Sequence, residues 1–345
     1  MTKQKQRIVA IAIIGVLLCI VSLLALHVGT IMIPIGGGVQ SILNGIGIPV
    51  HFTEPITAEQ EAVLWFIRMP RLIIGLLVGG ALALAGAVMQ GVFSNPLADP
   101  GIMGVSAGAS LGAVIAIALG VTSLGMFYMP AFAFIGAFVS VGITIILTLR
   151  NNKLDTTTLL LAGVAVSMLL GAFTSGILTM INEYRLREFL FWMVGGLDFR
   201  RWDHVALAVG PIVTGSVILM MLGRHLNVLV LGDTEARALG LPVMAYRMLF
   251  LFLSSVVTAT AVCVSGSIGF VGLVVPHIVR LLVGPDHRIL LPMAAVGGAL
   301  FLVFCDTLGR VIAQPIEIRV GIMTALLGAP YFLYLLHRLR SKGGA

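Results

Sequence analysis

Charge is what this chain has least of. Only 10% of its 345 residues are Asp, Glu, Lys or Arg, and the lysines are just Lys3, Lys5, Lys153 and Lys342. Soluble domains carry about 25% charged residues, so an ordinary water-soluble globule is excluded. None of the lysines follows a G-x(4)-G-K-[ST] loop, which excludes ATP binding through a P-loop. There is no H-E-x-x-H pair, and Cys19, Cys263 and Cys305 lie singly in apolar segments, so a metal cluster or disulfide framework is not expected. "GVSAG" (104–108) fits the G-x-S-x-G nucleophile elbow, but that motif needs a strand, a sharp turn and a helix. Here it opens an apolar run without alternation, and reads as small residues for close helix packing.

What is there is hydrophobicity, at 59% of residues, in runs free of charge over 72–98, 101–149, 156–182 and 249–279. About 20 apolar residues span a bilayer, so the expectation is an all-α polytopic membrane protein. Splitting the runs at charges and Gly/Pro clusters gives ten spans, near 8–33, 64–93, 103–121, 127–149, 157–181, 204–223, 244–266, 268–284, 289–311 and 320–338. The basic N-terminus leads straight into an apolar stretch too long for a signal peptide, and is read as the first span. The even count puts both termini on one side. Lys3, Lys5 and Arg7 at one end, with Arg338, Arg340 and Lys342 at the other, make that side cytoplasmic. The net charge of +7 is then a topology signal rather than a sign of nucleic-acid binding. "GAVMQGVFSNPLADP" (86–100) and "GSIGFVGLVVPHIVR" (266–280) share a Gly-to-Pro spacing, a faint hint of an internal repeat.

Against this background, "LGDTEARALGLP" (231–242) stands out. Asp233 or Thr234 is expected to cap a short helix, Glu235 sits in its first turn, Gly240 suits the C′ position and Pro242 stops it. Two turns alone in water are marginal, so something must pack on them. Placed in the cytoplasm between spans six and seven, the segment reads as a docking element for a soluble partner. Arg68 and Arg71 share one face at the outer end of a long helix, with Pro70 in its first turn. Cationic pairs outside run against the positive-inside tendency, which favours a recognition role over snorkelling anchors. Asp306 has Arg310 at i+4 and is read as half of a structural ion pair, not a proton relay. "NPLADP" breaks the second span twice and exposes Asn95 and Asp99.

These segments, with "LLLAGVAVS", "WMVGGLD", "SGSIGFVGLVVPHIVRLLVGPDHRILLP" and "VGIMTALLGAP", make residues 60–340 resemble the FecCD/BtuC-type permeases. Those are membrane subunits of type II ABC importers for iron–siderophore, haem and cobalamin. The resemblance implies a single permease domain over 1–345 with a BtuC-like fold of ten helices. The chain would form a homodimer or pair with a close paralogue, in a bacterial or archaeal cytoplasmic membrane. Two cytoplasmic ATPase subunits would carry ATP and Mg, so this chain is expected to be non-catalytic and without cofactor or metal. An extracytoplasmic substrate-binding protein would deliver the cargo. By the same resemblance, Asp233, Thr234, Glu235, Ala236, Arg237, Leu239 and Gly240 couple to the ATPase, and Arg68, Arg71 and Arg310 dock the binding protein. Asn95, Leu97, Thr156 and Thr157 would form the inner gate of the pathway. Among cargoes, family abundance ranks a ferric siderophore first, haem second and cobalamin third. The family motif E-[LI]-P-[VI]-G reads "EIRVG" here, with Arg319 in place of proline, either contacting the binding protein or pairing with an acid. The alternative to an ABC permease is an ion-coupled secondary carrier without an ATPase.

Overall fold

The computed structural model describes residues 3–51, 56–150, 153–154 and 156–342. In chain order its α-helices are α1 (Lys3–His27), α2 (Ile35–Gly45), α3 (Ala58–Val63), α4 (Met69–Val92), α5 (Val105–Leu119), α6 (Tyr128–Thr148), α7 (Thr156–Leu178) and α8 (Glu183–Met193). There follow α9 (Trp202–Met221), α10 (Gly223–Leu229), α11 (Asp233–Ala238), α12 (Val243–Ser265), α13 (Val271–Val283), α14 (His287–Ile312) and α15 (Val320–Lys342). Strand structure among the described residues is confined to a two-residue pairing, Leu149–Arg150 with Lys153–Leu154. Seven helical spans are long and apolar enough to cross a bilayer, and α5, α13 and part of α15 are shorter apolar helices. Each of the ten coincides with an expected span.

The departures have physical causes. The first span stops at His27, because Gly29 and Pro34 break the apolar run, and α2 follows after a short turn. The second span is longer than expected. A π turn at Leu64–Arg68 joins α3 to α4, so helical structure runs continuously from Ala58 to Val92. Pro70 falls in the first turn of α4, directly after that π turn, where its missing N–H is least felt. Charged α8 is an added amphipathic helix, started by the Asn182 side chain accepting from Arg185 N at 3.0 Å. The two prolines of the shared spacing have different settings. Pro96 lies in a turn after α4, whereas Pro276 lies inside α13.

α4 is the centre of the bundle, buried along most of its length whereas α1 is largely exposed, and it packs on α14, α12, α13 and α9. Glycine permits this closeness. A Cβ at Gly79 would fall on the Gly298 carbonyl of α14, and one at Gly86 on the Gly272 carbonyl of α13. At 13 residues α13 is only about 20 Å long, shorter than the ~30 Å hydrocarbon core. The non-helical stretch 266–270 precedes it, with Gly266 and Phe270 both at positive φ, and non-helical backbone within a bilayer must be satisfied by protein. Motif segments are bonded to one another beside it. Gly196 N donates to Ser265 O at 2.8 Å, and Gly321 N to Gly195 O at 3.2 Å. "WMVGGLD", "SGSIG" and "VGIMT" thus meet in one junction, with Gly266 at φ +74° and the Trp192 carbonyl where its Cβ would be.

Gly86→Val should over-pack the α4–α13 contact and destabilise by about 1–3 kcal/mol or more. Gly142→Ala, where a Cβ meets nothing within 4 Å, should be neutral. Melting of the purified variants in detergent measures both.

Candidate functional site

At one end of the bundle, α11 forms as expected but is held differently. Gly232, at φ +114°, is its N-cap, and no side chain caps it. Asp233 is the first helical residue, not the cap. Its carboxylate is drawn away by Arg247 of α12 at 2.6 Å and by Arg237 at 3.4 Å. The C-terminus is a Schellman motif: Gly240 N donates to Arg237 O and Leu241 N to Ala236 O, both at 2.9 Å, with Gly240 at φ +81°. Ala236 and Leu241 are buried and anchor the turn, while Thr234, Glu235, Arg237 and Leu239 face outward. Leu239 is 66% exposed at the tip of this braced knob, and Leu231 beside it is also exposed.

The neighbouring turn after α4 is built from local polar bonds. Asn95 Oδ1 accepts from Leu97 N at 2.9 Å, and Asp99 Oδ1 accepts from Gly101 N at 2.8 Å, starting a 3-10 turn at Pro100–Met103. Asn95 and Leu97 are half-buried, and Thr157 is exposed at the start of α7. α7 lies against the Pro100–Met103 turn, with Gly163 over the Ile102 carbonyl. The side chain of Thr156 lies outside the described residues. So do those of Lys3, Arg150, Lys153, Arg338, Arg340 and Lys342, which bear on orientation.

The opposite end of the bundle differs from expectation in burial. Arg68, Arg71 and Arg310, expected on the surface, are buried at 5%, 9% and 5% exposure. Arg71 is held by three carboxylates: Asp306 at 2.9 Å, Glu317 at 2.8 Å and Asp198 at 3.2 Å. These come from α14, from the loop before α15 and from the loop after α8, so one guanidinium ties three segments to α4. Arg310 meets Asp306 at 3.5 Å, as the i+4 spacing implies, and also donates to Ala25 O at 2.9 Å and Val28 O at 3.3 Å. Arg68 donates to Leu26 O at 2.7 Å and to Ile31 O. Two of the three arginines therefore cap the last carbonyls of α1, groups left orphaned at any helix C-terminus. Arg319 lies over the Phe191 ring, 4.5 Å from its centroid, and 3.7 Å from Asp198. It pairs with an acid, though with Asp198 rather than the adjacent Glu317.

Burial shifts the loop groups of this cluster. The Asp198 carboxyl is pushed up by desolvation despite Arg71 and Arg319 nearby, and the Arg200 guanidinium falls to about 10 for the same reason. Asp198 and Glu317 were the functional partners not foreseen. The GGLD and EIRVG motifs carried them, but each lies more than a hundred residues from Arg71 in sequence.

A bundle of ten apolar helices, clamped by buried ion pairs at one end and bearing a braced, charged knob at the other, has the build of a membrane permease. The chain belongs to the FecCD transport family, which it matches over residues 17–338. It is 48% identical to the cobalamin import system permease of Halobacterium salinarum, over 84% of this chain and 76% of that one. Against the hemin transport system permease of Yersinia pestis identity is 44%, covering 83% and 87% of the two chains. A solved structure described as an inward-facing metal-chelate type ABC transporter superposes with a TM-score of 0.83 at 31% identity, covering 94% of this chain and 97% of that one. The ten-helix permease fold expected from the sequence is thus the fold found.

Asp306→Asn removes a charge from a buried pair and should destabilise the protein by about 3–5 kcal/mol. Arg71→Glu should likewise lower the yield of folded protein at every salt concentration. A surface docking arginine would instead leave the melting temperature unchanged, and detergent-phase melting separates these outcomes.

Proposed function

We propose that this chain is the membrane-spanning subunit of an ATP-driven importer of a metal chelate. It works with a second copy of itself or a close paralogue, two ATPase subunits on the cytoplasmic side and a binding protein outside. The observation that carries this reading is α11. A six-residue helix with a buried base, an ion-paired first residue and a Schellman stop presents Glu235, Arg237 and Leu239 rigidly to solvent. Such a knob suits a groove on a soluble partner. ATP binding and hydrolysis there would shift the balance of inward- and outward-facing states. Both termini and α11 then face the cytoplasm.

The relatives favour a cargo order different from the one abundance gave. Cobalamin and haem both hold their metal in a tetrapyrrole, and the relatives at 48% and 44% identity are named for those two. A metallated tetrapyrrole, cobalamin before haem, therefore precedes a ferric siderophore. The exposed apolar faces of α7, with Leu161, Val164 and Met168, and of α15, with Ile322 and Leu326, suit the second subunit and the central pathway. Asn95, Leu97, Thr156 and Thr157 stand at its inner mouth. Arg68, Arg71 and Arg310 serve the binding protein indirectly, by fixing the outer loops it meets.

Uptake of cobalamin into proteoliposomes holding the permease, its ATPase and its binding protein tests the reading. Glu235→Arg should reduce uptake strongly while ATP hydrolysis persists. Gly240→Pro, which replaces a φ of +81° with one near −65°, should do the same. Uptake driven by an ion gradient without ATP, or undiminished in both variants, would overturn it.

A further inference from the structure

A cavity of about 500 Å³ lies where α1 ends, between the last turns of that helix, the turn after it and the starts of α2 and α3. Its wall includes Ile20, Leu23 and Leu24 of α1, with Met32 and Ile35 beyond, and all five are exposed apolar side chains. Among the described residues no charged side chain lines it. The sequence has no Asp, Glu, Lys or Arg anywhere from Ile8 to Thr53.

The turn between α1 and α2 is irregular backbone, yet its carbonyls beside the cavity are closed by protein donors. Leu24 O accepts from Val28 N at 2.9 Å, His27 O from Ile33 N at 3.2 Å and Pro34 O from Gly38 N at 2.9 Å. Val28 O accepts from Arg310 at 3.3 Å, Met32 O from Gln60 Nε2 at 2.9 Å and Ile33 O from His27 Nδ1 at 3.2 Å. Gln60 Oε1 is used in turn by Thr57 N at 2.9 Å. His27 Nε2 has no partner among the described residues, but it is fully buried and out of reach of a ligand.

Irregular backbone persists beside hydrocarbon only when its polar groups are bonded within the protein, and this turn meets that condition. A polar solute or a peptide strand would find no free donor or acceptor here to orient it, whereas a hydrocarbon chain needs none. The wall is also continuous with the lipid-facing side of a membrane span. Ile13, Val16, Ile20 and Leu23 recur at helical spacing on one exposed face of α1, and that face runs into the cavity. We infer that the cavity seats an acyl chain of a phospholipid, drawn from the leaflet at the end of α1 away from Lys3, Lys5 and Arg7. Under the orientation proposed above this is the outer leaflet. Arg68 and Arg310 hold the terminal carbonyls of the same helix, so the chain enters a wall already fixed in shape. The site goes beyond the transport reading and stands or falls separately from it.

The test is phospholipid binding to the full-length protein in detergent, read by native mass spectrometry with palmitoyl-oleoyl phosphatidylethanolamine as the probe. The wild type should hold one molecule per chain that survives delipidation. Leu24→Asn combined with Met32→Asn should weaken that binding roughly tenfold, the factor expected when a leucine-sized contact with hydrocarbon is lost. Leu24→Trp fills the space without adding a charge, should lose the lipid as well, and carries the comparison if the Asn pair impairs insertion. Ile146→Asn alters an exposed apolar residue of α6 outside the cavity and should bind as the wild type does. Equal retention in the wild type and both cavity variants overturns the inference, as does an equal loss in Ile146→Asn. A retained adduct with the mass of a free fatty acid overturns the phospholipid assignment. A larger assembly that the cavity variants break up, with phospholipid binding unchanged, gives this face to a second copy of the chain and also overturns it.

Discussion

A buried guanidinium in a bilayer has no water to fall back on, and Arg71 meets that constraint by gathering three carboxylates around one side chain. The architecture at this end of the bundle depends on this grip. Asp306 brings α14, Glu317 brings the loop before α15, and Asp198 brings the loop that follows α8. The loop after α8 also donates from Gly196 N to the last carbonyl of α12 and accepts at Gly195 O from Gly321 N of α15, beside the non-helical backbone before α13. Remove the clamp and the segments covering that non-helical stretch lose the charge that holds them. Arg310 and Arg68 extend the same arrangement to α1 by closing its terminal carbonyls.

Much of this was legible in the residues. Apolar length alone marked ten spans, because in a membrane hydrophobicity is the criterion for a helix to exist there at all. The knob at α11 was legible from its punctuation, since only glycine accepts the left-handed turn at Gly240 and only proline so firmly forbids a continuation at Pro242. The i+4 pair of Asp306 and Arg310 was legible because helical geometry makes such residues neighbours.

What was hidden depends on distance along the chain or on competition between partners. Arg71 and its acids are joined by folding, not by spacing, so the arginine looked like a surface residue. Asp233 has the chemistry of a helix cap but also lies within reach of Arg247, and a full ion pair outcompeted a single backbone N–H. The α8 helix carries too much charge to register as a span, and too little surrounding loop to register as anything else. The matched prolines at Pro96 and Pro276 show the reverse error, one spacing with two different backbone outcomes.

α4 runs for 24 residues, about 36 Å of helix, with the Arg71 clamp near one end and Gln90 near the other. At two points along it, Gly79 with Gly298 of α14 and Gly86 with Gly272 of α13, backbone lies against backbone. Side chains yield by changing rotamer, whereas peptide planes in van der Waals contact do not. The helix is therefore mechanically stiff where it touches its neighbours, more strut than cushion. At those two points the helices have little room to slide past one another independently.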